Sequence, residues 1–92
     1  MAKELTQLYE ELKIKDREGK VVFGTEQTLK NIKHGKIKRV ILASNCPKAT
    51  KEKINYYAKV QGFEVIQSDL DREELGKVLG KAFLAAVVGE LN

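Results

Sequence analysis

Val21-Val22-Phe23-Gly24-Thr25-Glu26-Gln27-Thr28-Leu29-Lys30 decides how this chain is read. A short apolar run stops at a glycine and passes at once into a polar segment with helical patterning. That predicts a strand followed directly by a helix. At such a switch the first backbone N–H groups of the helix lack intrahelical partners and point outward at one spot. Together with the positive end of the helix dipole they suit a phosphate or the edge of a base. Any α/β domain contains junctions of this kind, so the surrounding sequence gives this one its meaning.

Upstream, Leu5, Leu8, Tyr9 and Leu12 recur at helical spacing and predict an amphipathic helix over residues 2–13, followed by the charged turn Lys15-Asp16-Arg17-Glu18-Gly19. Downstream, Thr25, Thr28, Leu29 and Ile32 share one face of a second helix that stops at Gly35. Arg39-Val40-Ile41-Leu42-Ala43 is a near-continuous apolar run, the pattern of a strand buried on both faces. Ser44-Asn45-Cys46-Pro47 follows as a loop, because the proline blocks further strand. A third helix is expected over 50–61, burying Ile54, Tyr57, Ala58 and Val60 and stopping at Gly62. Phe63-Glu64-Val65-Ile66 alternates as a half-covered strand. Ser68-Asp69-Leu70-Asp71 offers N-caps for a fourth helix over 73–79. Its Leu75-Gly76 and Leu79-Gly80 pairs recur four apart and leave bare backbone for a close neighbour. Phe83-Leu84-Ala85-Ala86-Val87-Val88 is expected as the last buried strand. The order α-β-α-β-α-β-α-β, without repeat, linker or low-complexity segment, predicts helices on both faces of a small central sheet in one domain, residues 1–92.

Ninety-two residues suffice for a compact domain but leave little room for a deep, enclosed active site. No apolar stretch reaches membrane-spanning length, and Met1-Ala2-Lys3-Glu4-Leu5 is amphipathic rather than signal-like. Cys46 is the only cysteine, so an internal disulfide cannot form, and one Cys with one His cannot build a structural zinc site. The expectation is a cytoplasmic protein with no cofactor, no metal and no membrane partner. Its charge is lopsided. Between Lys13 and Lys59, eleven lysines and two arginines stand against four acids, a net of +9 in a chain of net +4. The ends are acidic. Such a middle fits a solvated lysine-rich surface or one that faces a polyanion.

Signals for catalysis are poor. Cys46 follows a buried strand, as phosphatase-like and phosphocarrier nucleophiles do, yet no arginine follows at the spacing that cradles a phosphate and His34 is distant. Glu73 and Glu74 are neighbours on a helix and diverge, which does not suit a paired-carboxylate site. No glycine-rich phosphate loop is present. Three loops carry more weight: Gly24 to Lys30 after the first strand, Ser44 to Lys48 after the second, and Leu79-Gly80-Lys81-Ala82-Phe83 before the last. The first two lie at carboxyl ends of strands, where ligands of α/β sheets gather. An antiparallel last strand brings the third to the same side. Glu26, Gln27 and Asn45 would then read base edges, Lys30, Lys33 and Lys48 would bind phosphates, and the Gly80 loop would meet a flipped base. That combination suits structured RNA, whose bulges and loops expose base edges that a duplex hides. Spacing alone fits three ordinary polar loops as well.

At these same places the chain resembles a family. The blocks are Gly24 to Lys30, Gly35-Lys36-Ile37-Lys38-Arg39-Val40-Ile41-Leu42-Ala43-Ser44-Asn45-Cys46-Pro47, Ile54-Asn55-Tyr56-Tyr57-Ala58, and Glu74-Leu75-Gly76-Lys77-Val78-Leu79-Gly80-Lys81. Together, over about Lys20 to Val88, they resemble the archaeal and eukaryotic L30e family of large-subunit ribosomal proteins. That family lies within the kink-turn-binding superfamily that also contains L7Ae. The resemblance implies a three-layer α/β/α sandwich with a small mixed four-stranded sheet, binding kinked RNA. By position it implies contacts from Gly24, Thr25, Glu26, Gln27 and Lys30 at the helix start, Asn45 in the second loop, and Leu79, Gly80, Lys81 and Phe83 at the third. Glu26 departs from the family pattern, where a basic residue often stands nearby; a carboxylate there repels phosphate but accepts from a base amine. The implied role is a non-catalytic component of the large subunit that binds rRNA and is a monomer when free. A free kink-turn binder in RNA processing or regulation is the alternative, and an enzyme or phosphocarrier using Cys46 is the reading from another class.

Overall fold

Four helices and four strands alternate along residues 2–92 of a computed structural model, which describes side chains from Thr6 onward. They are α1 (Ala2–Arg17), β1 (Val21–Phe23), α2 (Thr25–Lys33), β2 (Ile37–Leu42), α3 (Lys48–Gln61), β3 (Glu64–Gln67), α4 (Arg72–Val78) and β4 (Val87–Leu91). The expected place of Leu5 on the face of α1 lies outside the described side chains. The sheet has the order β1-β4-β2-β3. β4 runs antiparallel to both its neighbours, Phe23 facing Val88 and Ile41 facing Val88 from either side, while β2 and β3 are parallel.

Alternation along β2 explains the layers. Ile41 points to one face, where Leu8, Tyr9 and Leu12 of α1 and Leu75 of α4 pack with it. Val40 and Leu42 point to the other, against Ile32 of α2 and Ile54 of α3. Each helix buries one stripe and the sheet is covered twice, which is the mixed α/β/α sandwich the resemblance implies. A polar lock sits in the first layer: the Tyr9 hydroxyl lies 2.6 Å from Ser68 Oγ. Another closes the base of the sheet, where Arg39 Nε donates to the buried Glu90 Oε1 at 2.8 Å. Glu11 and Glu64 approach the same guanidinium at 3.7 and 3.9 Å.

Several boundaries differ from the expected ones. α1 continues through the charged segment as far as Arg17. α3 begins at Lys48, directly after Pro47, whose fixed φ of −54° is already compatible with a helix start. Val60 is exposed rather than buried. The covered face of α3 runs from Ile54 to the half-buried Tyr57 and Ala58, three and four positions on, and Val60, six positions on, falls off that stripe. The largest shift is in the last strand. Phe83 to Ala86 is not strand but an irregular run packed over α4, with the Ala85 N–H donating to Arg72 O at 2.9 Å. Gly76 makes this possible, because a Cβ there would strike the Phe83 carbonyl. Of those residues only Ala85 is buried, packed with Leu75 and Leu79, while Phe83 and Leu84 stay exposed. The strand itself runs from Val87 to Leu91 and so takes in Gly89 and Glu90, beyond the expected end at Val88.

Candidate nucleic-acid interface

Gly24 caps α2 with φ 92° and ψ 158°, a region that essentially only glycine occupies. Its N–H donates to Val87 O at 2.8 Å, and the Ala43 N–H donates to Ala86 O at 2.9 Å. Residues 86 and 87 are therefore laced between the end of β1 and the end of β2, so the antiparallel entry expected for the last strand is present. The start of α2, the Ser44–Pro47 loop and the approach to β4 meet at one end of the sheet.

The helix starts at this end are not alike. α4 is closed: Asp71 Oδ1 accepts from the Glu74 N–H, Glu74 Oε1 accepts from the Asp71 N–H, and Asn45 Oδ1 accepts from the Arg72 N–H at 2.9 Å. α2 has no side-chain cap, nor does α3, which starts from Pro47. The first-turn N–H groups of α2 thus keep their donor capacity facing outward. Glu26, Gln27 and Lys30 are exposed around them and Thr25 is half-buried. Glu26 sits where the dipole favours an acid, so it offsets part of the positive field while offering an acceptor.

The remaining expected residues divide. Asn45 is exposed, but its oxygen is engaged with α4, leaving only its amide donors free to read a base. Lys48 projects into solvent in the first turn of α3, 4.0 Å from Glu52. Leu79 is only 4% exposed and packs in the core with α1, so its side chain is not on the surface. Gly80 and Lys81 lie past the far end of α4, about 10 Å from Arg72 along that helix. Lys81 Nζ is 2.7 Å from Asp16 Oδ2 and 5.2 Å from the Phe23 ring centre, so its charge is spent within the protein. Phe83 is half exposed and stacks edge-to-face on Phe23 at 5.3 Å, one residue before Gly24. Lys33 stands in the last turn of α2, about 12 Å along the axis from Thr25, and is not brought to the loops. Leu84, 55% exposed beside Phe83, joins the surface unforeseen; it was hidden inside a run that read as buried strand.

Cys46 is buried, and its Sγ lies 3.8 Å from the Pro47 carbonyl oxygen. Burial pushes its thiol up, with Lys51 opposing in part, so at neutral pH it is protonated and a poor nucleophile. Among the described residues no group of His, Cys, Asp and Glu could hold a metal ion, and no helix is long and apolar enough to cross a membrane.

The model of a family described as ribosomal protein L7Ae/L30e/S12e/Gadd45 matches residues 6–92. The chain is 40% identical to the large ribosomal subunit protein eL30 of Sulfurisphaera tokodaii, over 97% of this chain and 84% of that protein. It is 44% identical to eL30 of Methanocaldococcus jannaschii over 76% of this chain, and there it spans 64% of the relative's length. Among solved structures, a Bacillus halodurans protein of unknown function superposes with a TM-score of 0.79 at 27% identity, covering 88% of this chain and 80% of that one. A Giardia lamblia 15.5 kD RNA-binding protein gives 0.77 at 17% identity, over 99% and 73%, a likeness of fold.

Proposed function

This chain belongs to the ribosomal protein L7Ae/L30e/S12e/Gadd45 family, and on that premise we propose that it is a non-catalytic RNA-binding protein of the large ribosomal subunit that grips kinked RNA. The observation that carries the reading is the lacing of Gly24 to Val87 and of Ala43 to Ala86, which gathers an uncapped helix start, a polar loop and an apolar edge at one end. A kink splays bases out of the stack, so their edges become available there. The free N–H groups of α2 and the Gln27 amide face those edges, Glu26 accepts from a base amine, and Lys30 takes a phosphate. The Asn45 amide donates beside them. Phe83 and Leu84 cover an unstacked base face. The protein acts as a monomer at the ribosome, in the cytoplasm.

Base reading and charge are separable. Gln27→Ala should cost about 1–3 kcal/mol on a kinked RNA and much less on unrelated RNA, as loss of a base contact does. Lys30→Ala should weaken both by similar factors and make the salt dependence shallower. Titrating both variants against both RNAs tests this, and a Gln27→Ala protein with unchanged preference would sink the assignment. Co-sedimentation of tagged protein with large subunits tests the ribosomal part; a pool that stays with smaller RNAs would favour a role in RNA processing.

A further inference from the structure

We propose that the opposite end of the sheet is a second RNA surface, which takes the phosphate backbone of a segment distinct from the kinked one. The protein then ties two RNA segments together; the tie, though not the second surface, rests on the first site binding kinked RNA as read above. Near the loops, Lys48 approaches Glu52 and Lys77 approaches Glu73, while Lys30 is exposed without an ion pair among the described residues. At the other end Lys33, His34 and Lys36 are exposed and have no ion pair among the described residues. The acids beside Lys38, Glu64 and Glu90, are already engaged. Arg39 holds both Glu90 and Glu64, and Lys38 reaches Glu90 at 3.8 Å while its side chain stays 58% exposed. Two helix C-termini also end here, each worth about half a negative charge, and the ammonium groups of Lys33, Lys36 and Lys38 outweigh them.

Shape supports the same partner. A shallow cleft of about 500 Å³ opens between Gly35, Ile37 and Lys38 on one side and Gln61, Gly62 and Phe63 on the other. Gln61 Nε2 donates to Ile32 O at 2.8 Å, which fastens α3 to the end of α2 and keeps the cleft walls together. A polar, open cleft lined by Lys38, with the exposed His34 and Lys36 flanking its Gly35 in the chain, suits a sugar-phosphate strand, whose charge repeats along its length. The six residues of β2 separate this rim from the loop end by about 20 Å. One short contact cannot reach both, so the occupant is another RNA segment.

The test uses the whole protein, a kinked RNA and an unkinked RNA duplex of about 16 base pairs. With the first site saturated by kinked RNA, labelled duplex should still bind and form a ternary complex. His34→Gln combined with Lys36→Glu should weaken duplex capture about tenfold and leave kinked-RNA affinity within about twofold. Lys36→Arg should retain capture. Both side chains are exposed, and a matching melting temperature for the variants confirms folding. Displacement of the duplex by kinked RNA, or equal capture by the variant, overturns the second surface. If kinked RNA itself fails to bind, the first site falls; duplex binding to free protein that drops for the Lys36→Glu protein but not for Gln27→Ala would still uphold this one.

Discussion

Gly76 and Gly80 stand four positions apart and serve different ends. Gly76 gives up its side chain for space, because any Cβ would meet the Phe83 carbonyl, which is backbone and cannot swing away. Gly76→Ala should therefore destabilise the fold by about 1–3 kcal/mol despite the better helix propensity of alanine. Urea denaturation would show it, and a variant as stable as the parent would mean that residues 83–86 can lift off α4 freely. Gly80 has open space around it but a φ of 77°, so its constraint is conformational. Gly80→Val should lower the melting temperature and weaken RNA binding by more than that loss of stability explains. Unchanged affinity in a folded variant would make this turn a plain connector.

At the scale of the elements, the alternation of helices and strands was legible because each apolar run carried its own period and its own stop signal. The start of α2 was legible for the same reason, since Val21-Val22-Phe23-Gly24 announces both the strand and the switch. β4 was misplaced because its pattern is broken by a buried charge, and a carboxylate reads as surface until its partner is known. Glu90 is buried only because Arg39 meets it from the next strand. Lys81 shows the mirror image: the resemblance implies an RNA contact for it, and no local pattern reveals that Asp16, far earlier in the chain, holds it. Asn45 shows a residue carrying two roles, one of which no local pattern reveals. Its oxygen caps α4 while its amide faces outward. Asn45→Asp keeps an acceptor for the Arg72 N–H but removes the donors, so stability should hold while kinked-RNA affinity falls by about tenfold. Asn45→Ala should lose both, with about 1 kcal/mol of stability gone. If the aspartate variant binds as tightly as the parent, Asn45 belongs to the fold alone.

For the whole molecule, charge decides strength and shape decides partner. The +9 segment predicts that binding to kinked RNA weakens steeply with salt, as neutralised phosphates take up counterions again. Titrations at several salt concentrations measure the slope, and a flat response would remove RNA as the partner. The topology adds a consequence for the time at which this surface exists. β1, first in the chain, pairs only with β4, last in the chain, and the lacing at Gly24 and Ala43 uses residues 86 and 87. During synthesis the early strand must wait, with neither edge paired, until the final segment emerges and slides into the middle of the sheet. RNA therefore meets a gripping surface only on chains translated through to β4, and an interrupted product ending before residue 86 should neither complete its sheet nor compete for the site.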